Sequence, residues 1–339
     1  PLLLAGGDPG AVQPLAGDSL RAALAVAFPL GHPAASLCGR GDRSDKVKPA
    51  RFEYVAVASV AEATEALAGA DDARILAGGQ SLVPLMNLRL ARPSLLVDVN
   101  GVGSLAGFEA RNGTLRFGAM CRHRFLETDP LVREKAPIVA ETAGLIGHVG
   151  IRNRGTLGGS IAHADPVAEL PALLVALGGR VVVSSTAGER TIPAAELFAG
   201  PFMTSLEPAE LLSAVEVPAH SEGDGGAFSE FVLRHGDFAT AGVAVILHRD
   251  GSGACDRLRV AGCGLGPTPM DLSAAGEFLL GESTLSDGGA DELGRRVAAA
   301  ADPSGDVHGS AEYRRELAAV LATDAVRRAW GRAGPPGRG

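Results

Sequence analysis

The 339-residue chain has few cysteines. Its four cysteines, Cys38, Cys121, Cys255 and Cys263, are scattered, and no two of them form a CxxC pair. An iron–sulfur cluster or a structural zinc site needs several thiolates brought together, so this pattern encodes neither. We therefore expect reduced thiols, and any redox chemistry must use a bound organic cofactor or a partner protein.

Long apolar runs and excess positive charge are also missing. No stretch of about 18 or more uncharged apolar residues occurs, which argues against a membrane-spanning helix. The net charge of −8 argues against binding to nucleic acid. Hydrophobic residues make up 46% of the chain and charged residues 21%, which is typical of a folded protein. The length of 339 residues is enough for two or three domains.

The chain divides into segments of different character. Residues 1–46 are rich in glycine, proline and alanine, and we interpret them as a poorly ordered N-terminal extension. Ser59 and Glu62 then form an S-x-x-E capping box and Gly69 follows an alanine-rich run, which predicts a helix of about three turns. A linker rich in glycine, serine and aspartate at 221–226 precedes a second α+β domain.

Turn signals and apolar patterns predict the other elements. Asn112 and Gly113 are a preferred type I′ turn pair and predict a hairpin around them. An apolar run predicts a helix over residues 131–146, and we expect residues 152–163 to form a loop. The remaining predicted elements are strands at 74–77, 95–99, 180–185, 190–193, 211–217, 228–233, 242–248 and 257–262, and helices at 82–90, from 166, and at 311–330.

Two glycine-rich segments are candidates for a phosphate-binding site. They are ILAGGQS at 75–81 and RNRGTLGGSIAHADP at 152–166, where Arg152 and Arg154 would add positive charge. Paired glycines let a ligand approach the backbone, and successive N–H groups can then point at a pyrophosphate. Neither segment is a Walker A sequence and neither matches G-x-G-x-x-G. One such segment alone is more often an ordinary turn, whereas two of them suit an extended dinucleotide.

Four stretches carry a family resemblance. AGGQSLVPLMNLRLARP at 77–93 and IRNRGTLGGSIAHADPVAELPA at 151–172 look like a pair of FAD-binding loops. RHGDFATAGVAV at 234–245 and DVHGSAEYRRELAAVLATDAVRRA at 306–329 look like the start and end of a C-terminal flavoprotein domain. In this order they resemble the FAD-binding medium subunits of molybdenum hydroxylases, such as carbon monoxide dehydrogenase medium chains and, more distantly, xanthine dehydrogenase FAD subunits.

The resemblance implies a particular fold. We expect an α+β protein with a two-subdomain FAD-binding fold of the vanillyl-alcohol oxidase/PCMH type, followed by a smaller α+β C-terminal domain. The FAD-binding domain would span 47–222, with subdomains at about 47–102 and 103–222. The C-terminal domain would span 227–329, and 330–339 would form a tail.

The resemblance also implies the cofactor-binding residues. Main-chain groups of both loops hold the FAD pyrophosphate and ribityl chain in the family. Glu169 resembles a position that binds polar flavin groups, with an interaction with the helix dipole as the alternative. Leu212 resembles a position that touches the isoalloxazine, and no catalytic residue or metal ligand is implied. The loop positions carried over are Ala77, Gly78, Gly79, Gln80, Ser81, Thr156, Leu157, Gly158, Gly159 and Ser160.

The function implied is that of an oxidoreductase subunit. A large molybdopterin subunit would hydroxylate the substrate, and a small [2Fe–2S] subunit would pass its electrons to FAD in this chain. FAD would deliver them to NAD⁺, a quinone or another acceptor. The family implies a dimer of heterotrimers in the cytoplasm, with the inner face of the membrane as an alternative location.

Some features depart from the family or leave alternatives open. Some relatives have a tyrosine near the flavin where this chain has Phe202, and others have a lysine where it has Val232. His163 and Asp165 resemble an acid/base pair, but electron transfer needs none, so we expect them to shape the turn into the next helix. The substrate class stays open among carbon monoxide, purines, aldehydes and heterocycles.

Two other functions remain possible at this point. A self-sufficient FAD-dependent oxidase or reductase would need a substrate pocket and a base over the flavin, and the sequence shows no such constellation. A non-catalytic scaffold that has lost FAD would not need the two glycine segments, which are both intact.

Overall fold

A computed structural model describes residues 48–334. The extension expected at 1–46 and the last five residues of the tail lie outside the described residues. Within that range, no helix has the length and apolar character needed to cross a membrane. The described cysteines, Cys121, Cys255 and Cys263, are buried free thiols, and no group of metal-ligating side chains occurs among residues 48–334.

A small parallel sheet opens the fold. Its elements are β1 (Glu53–Ala56), α1 (Val60–Ala68), β2 (Ala73–Leu76), α2 (Leu82–Asn87) and β3 (Leu95–Asp98), with strand order β1-β3-β2. The capping-box prediction is confirmed at Ser59, whose hydroxyl accepts a hydrogen bond from the Glu62 N–H at 3.2 Å. Because β2 and β3 run parallel, the residues that follow them emerge at the same edge of the sheet.

A five-stranded antiparallel sheet with helices follows. Its strand order is β4-β5-β10-β6-β7, and β8 and β9 form a separate hairpin. The turn between β4 and β5 has positive φ at Asn112 (51°) and Gly113 (72°), which confirms the predicted hairpin. The elements are β4 (Phe108–Arg111), β5 (Thr114–Gly118), α3 (His123–Thr128), α4 (Pro130–Lys135), α5 (Pro137–Leu145), α6 (Val149–Arg154), α7 (Leu157–His163), α8 (Glu169–Leu177), β6 (Arg180–Ser185), β7 (Gly188–Pro193), α9 (Ala194–Leu197), β8 (Phe198–Gly200), β9 (Met203–Thr204) and β10 (Leu211–Pro218).

The helical region between β5 and β6 differs from the prediction in three places. The helix predicted over 131–146 is divided into α4 and α5, because Pro137 occupies the first turn of α5 and cannot continue α4. The loop predicted at 152–163 is wrong, since this stretch contains the end of α6 and all of α7. The helix predicted from 166 begins only at Glu169.

A four-stranded antiparallel sheet covered by two helices completes the chain. The elements are β11 (Asp224–Val232), β12 (Ala239–Arg249), β13 (Cys255–Cys263), β14 (Met270–Asp271), α10 (Asp287–Ala300) and α11 (Ala311–Arg332), with strand order β11-β12-β13-β14. Ala318, Ala322 and Val326 of α11 pack with Val243 and Val245 of β12 in one buried cluster. The α+β class expected from the sequence is therefore confirmed.

Candidate cofactor-binding site

The first glycine segment, residues 77–81, presents a row of backbone N–H groups at the edge of the parallel sheet. Among the described residues, no acceptor receives a hydrogen bond from the N–H groups of Gly78, Gly79, Gln80, Ser81 or Leu82. Gly79 supports this geometry with a φ of +74°, and the Gln80 side chain donates to the Gly78 carbonyl at 2.9 Å. Such a row of N–H groups is a suitable site for an anion.

The second glycine segment, residues 156–160, is the start of α7 and uses its own N–H groups. The Thr156 hydroxyl caps the helix by accepting from the Gly159 N–H at 3.1 Å. Leu157 and Gly158 donate to the carbonyls of Cys121 and Ala119 at 2.9 and 2.8 Å, and Ser160 donates to the Thr156 carbonyl. The expectation that main-chain groups of both segments grip a ligand therefore needs revision, because these four N–H groups are already bonded.

The two segments nevertheless lie against each other. A Cβ atom added to Gly78 would come within 2.4 Å of the Arg154 carbonyl oxygen and 2.9 Å of the Gly155 Cα. A Cβ on Gly159 would lie 3.9 Å from the Ala77 Cβ. The sequence prediction that both segments belong to one site thus agrees with the geometry, and a glycine at position 78 is what allows the close approach.

Three polar residues that the sequence reasoning missed connect the two segments. Asn100 donates from Nδ2 to the Ala77 carbonyl at 2.9 Å, and its Oδ1 accepts from Arg122 Nη2 at 2.6 Å. Arg122 also donates from Nη1 to the Arg154 carbonyl. His123 Nε2 lies 3.0 Å from the Thr156 carbonyl oxygen, to which it must donate. A position just after a buried parallel strand was the only available signal for Asn100, and the sequence offered none for Arg122 or His123.

His123 is a neutral structural ring beside the second segment. The pKa of His123 is lowered to about 4, mainly by burial and also by the charges of Arg152 and Arg122, against the opposing effect of the hydrogen bond to Thr156. Its Nδ1 is buried and has no hydrogen-bond partner among the described residues. The ring therefore fixes the backbone of the second segment through a single donor, Nε2–H.

The two arginines expected to add positive charge play different roles. Arg152 is only 6% exposed, and it pairs with Glu127 at 2.9 Å and donates to the carbonyls of Ile146 and Gly147. Its charge is used inside the fold, so the expectation of a free charge there is wrong. Arg154 is exposed, and its charge lies close enough to Arg122 to help lower the pKa of that guanidinium, after burial.

Glu169 and Leu212 are both buried in the described structure. Glu169 is the first residue of α8 and is 6% exposed, and burial raises the pKa of its carboxyl to about 7, with the Asp165 charge adding to the shift. Leu212 lies on β10 with 5% of its surface exposed and packs in the main hydrophobic core. The flavin contacts expected at both positions stay predictions.

The residues around the α7–α8 turn shape the backbone, as expected for Asp165. Its carboxylate accepts from the Val167 N–H at 3.1 Å. Phe202, in the turn between β8 and β9, is 57% exposed, and its ring centroid lies 5.1 Å from that of His163. The Phe202 N–H donates to the Ala164 carbonyl at 2.9 Å, which holds this turn against the end of α7.

Comparison with known proteins identifies the family of the chain. Residues 50–220 match the family model for the FAD binding domain in molybdopterin dehydrogenase, and residues 226–329 match the CO dehydrogenase flavoprotein C-terminal domain. The chain belongs to the FAD-binding medium subunits of molybdenum hydroxylases. It is an oxidoreductase subunit, and its cofactor is FAD.

Relatives of this medium subunit match over nearly their whole length. The 6-hydroxypseudooxynicotine dehydrogenase complex subunit alpha of Paenarthrobacter nicotinovorans is 44% identical over 85% of this chain and 98% of its own. The carbon monoxide dehydrogenase medium chain of Hydrogenophaga pseudoflava is 36% identical over 84% of this chain and 99% of its own. A solved carbon monoxide dehydrogenase structure from the same organism superposes with a TM-score of 0.81, at 37% identity over 84% of this chain and 99% of that one. The expected two-domain flavoprotein fold is confirmed.

The residues of this medium subunit fit FAD unequally. The first segment supplies free N–H donors, which suit the diphosphate of the cofactor. The second segment supplies small residues, the half-buried side chain of Ser160 and the exposed charge of Arg154 nearby, whereas Thr156 is buried and caps α7. Sequence reasoning treated the two segments as equivalent, whereas the structure assigns the available backbone donors to the first.

Proposed function

We propose that this chain is the electron-transfer subunit of a molybdenum hydroxylase complex. It would accept electrons from the [2Fe–2S] clusters of a small partner subunit and pass them to an external acceptor such as NAD⁺ or a quinone. A large molybdopterin subunit would oxidise the substrate, and the complex would be a dimer of heterotrimers. The observation that carries the proposal is that the first segment, whose N–H groups at 78–82 have no acceptor among the described residues, lies directly against residues 154–159.

The residues of the first segment would bind the diphosphate. The N–H groups of Gly78, Gly79, Gln80 and Ser81 would donate to phosphate oxygens, and Ala77 would complete the segment. From the second segment, the Ser160 side chain would contact the ribityl chain, and the buried Thr156 would hold the start of α7 in place. Leu157, Gly158 and Gly159 would shape the wall through their packing.

The flavin ring would lie toward the turn that follows α7. Bound FAD can accept electrons singly and release them as a pair, which is the redox chemistry that this role needs. The exposed Phe202 ring, held by His163 and Ala164, would cover the isoalloxazine and exclude water. Glu169 and Leu212 would contact its polar and apolar edges, and no side chain of this subunit would take part in bond breaking.

The organic substrate is not set by this subunit. One relative is named for 6-hydroxypseudooxynicotine and another for carbon monoxide, although both align with this chain over nearly their whole length. The proposal therefore places substrate choice in the large subunit, and the difference between these relatives supports that division of roles.

The proposal can be tested without knowing the substrate. The small partner subunit is reduced with dithionite, freed of excess reductant, and mixed in a stopped-flow instrument with the oxidised, FAD-loaded full chain. We expect rapid loss of the flavin absorbance band, followed by its recovery when NAD⁺ or ubiquinone is added. Turnover of carbon monoxide, hypoxanthine or an aldehyde by the isolated chain would instead support a self-sufficient oxidase.

A further inference from the structure

Asn100 occupies a position from which it can hold the first glycine segment. It follows β3, the central strand of the parallel sheet, and its Nδ2 donates to the carbonyls of Ala77 at 2.9 Å and Leu76 at 3.4 Å. Asp98 orients the asparagine by accepting from its N–H at 2.8 Å and from its Nδ2 at 2.6 Å. Tyr54 holds Asp98 in turn through a hydrogen bond of 2.7 Å.

Arg122 extends this connection to the second segment. Its Nη2 donates to Asn100 Oδ1 at 2.6 Å, and its Nη1 donates to the Arg154 carbonyl two residues before Thr156. The anchored carbonyls therefore belong to opposite sides of the contact at Gly78, whose Cα packs on residues 154–155. The amide side chain can donate to a carbonyl and accept from a guanidinium at the same time, which an ionised carboxylate at this position could not do.

We propose that Asn100 and Arg122 are positioning residues that set the spacing between the two glycine segments and thereby the affinity for FAD. They act through the carbonyls of Ala77 and Arg154. The N–H groups of the first segment keep their direction only while the Ala77 carbonyl is held. This inference rests on the proposed placement of FAD between the two segments.

The charges around Arg122 are consistent with this role. Burial and the neighbouring Arg154 charge lower the pKa of the Arg122 guanidinium, while Asp98 raises it. Two close guanidinium groups repel each other, and a bound anion relieves that repulsion. The Arg122 pair with Asn100 thus places positive charge where a diphosphate is expected.

The test measures FAD affinity in variants of the full chain. Asn100→Asp keeps the size and the acceptor for Arg122 but replaces the donor to the Ala77 carbonyl by an oxygen. Arg122→Lys keeps the charge but cannot donate to both acceptors in the same fork geometry. We expect each variant to bind FAD at least about tenfold more weakly, as measured by quenching of flavin fluorescence on titration of the apoprotein.

Two further measurements separate positioning from a loss of folding. The Asn100→Ala and Arg122→Ala variants should each bind FAD more weakly, and the double variant should lose less affinity than the two single losses combined, because both changes remove the same connection. The melting temperature of the apoprotein should change little in these variants. The control Thr186→Asp introduces a negative charge in the exposed turn between β6 and β7, where the Thr186 side chain makes no hydrogen bond to the described residues, and should bind FAD within about twofold of wild type.

The outcomes distinguish this inference from the proposed site. Wild-type affinity in both Asn100→Asp and Arg122→Lys would overturn the inference, provided that Gly78→Ala weakens FAD binding. Wild-type affinity in Gly78→Ala as well would show instead that the placement of FAD between the two segments is wrong.

Discussion

The glycines of the two segments are required for different physical reasons. Gly79 has a φ of +74°, which costs an L-residue with a Cβ roughly 1–2 kcal/mol. Gly158 lies against Ala119, whose Cβ would be 2.5 Å from a Cβ at position 158. Gly78 meets the backbone of the other segment, which cannot move aside as a flexible side chain can. The glycine pattern therefore reports packing between protein segments as much as access for a ligand.

Gly78→Ala should weaken FAD binding strongly. The new Cβ would lie 2.4 Å from the Arg154 carbonyl oxygen, so the two segments must separate to accommodate it. We expect at least about tenfold weaker FAD binding and a loss of about 1–3 kcal/mol in the free energy of unfolding. Flavin content after purification and denaturant unfolding of the full chain measure the two effects.

The matched control for this change is Gly103→Ala. Position 103 starts a short 3-10 turn (Gly103–Ala106), has no positive φ, and has no atom within 4 Å of a Cβ added there. We expect unchanged flavin content in this variant. An equal loss of flavin in both variants would assign the effect of Gly78→Ala to general destabilisation.

At the scale of elements, two carboxyls, Glu169 on α8 and Glu230 on β11, lie close enough for their charges to interact. Glu230 on β11 has a buried Oε2 without a hydrogen-bond partner among the described residues. Burial, together with the charge of Glu169 at the start of α8, raises the pKa of Glu230 to about 8. Burial likewise raises the pKa of Glu169 to about 7, with the Asp165 charge contributing. The fully buried Cys263 on β13 adds a thiol to this cluster.

These carboxyls should make the protein less stable as pH rises. Both carboxyls have folded-state pKa values above the unfolded value of about 4.5, so the folded state is stabilised while they are protonated. This stabilisation is complete below pH 4.5 and is lost as pH rises through about 7–8. Glu230→Gln keeps a neutral side chain at all pH values. We expect its melting temperature to exceed that of wild type by at least about 2 °C at high pH, with a smaller difference at low pH.

The control for the acidic pair is Glu134→Gln on the exposed side of α4, where Glu134 pairs only with the adjacent Lys135. Its melting temperature should follow wild type across the same pH range. A pH dependence that is identical in Glu230→Gln and wild type would show that ionisation at this position does not control stability.

Sequence patterns predicted elements with strong local signals and missed those decided by tertiary contacts. The Asn112–Gly113 turn and the Ser59 cap were found because the conformation depends on those residues themselves. The short strand β1 was missed because most of its residues are exposed, so it has no apolar pattern. Glycine-rich α7 was taken for a loop, because its cap at Thr156 and its packing outweigh the low helix propensity of glycine.

The candidate site shows the same division. The two glycine segments could be found because they are contiguous in sequence. Asn100 and Arg122 could not, since their role depends on carbonyls 23 and 32 residues away. The apolar stretch around His148 predicts a packed histidine, yet this residue is exposed and caps α6 by accepting from the Ile151 N–H at 3.4 Å.

At the scale of the whole molecule, the FAD-binding and C-terminal regions share one core. Phe228, Ala244 and Cys263 of the C-terminal sheet belong to the same buried cluster as Leu170 and Leu173 of α8. The C-terminal region also has a buried cluster of its own between its sheet and α11, but one face of that sheet packs in the cluster that it shares with α8. We infer that the two regions unfold together, because neither could expose this cluster to water without losing its stabilisation.

Glu141 is the main polar link across the same boundary. It lies on α5 and accepts from Arg328 and, at 2.6 Å, from Arg332, both on α11. Arg332 also donates to the Gly226 carbonyl at 2.7 Å, and Arg328 to the Phe228 carbonyl at 2.9 Å. Removal of the carboxylate would leave Arg332 with the Gly226 carbonyl, whereas Arg328 would keep the Phe228 carbonyl, the Ser229 hydroxyl and the Asp324 carboxylate.

Glu141→Ala should lower the free energy of unfolding by about 1–2 kcal/mol, between the values typical of exposed and buried ion pairs. Differential scanning calorimetry of the full chain should still give one transition, at a lower temperature, because the shared core remains intact. Glu316→Ala, on the exposed side of α11, serves as the control and should melt like wild type. Two separate transitions in wild type would contradict the inference of a shared core, since the C-terminal sheet would then unfold without disturbing α8.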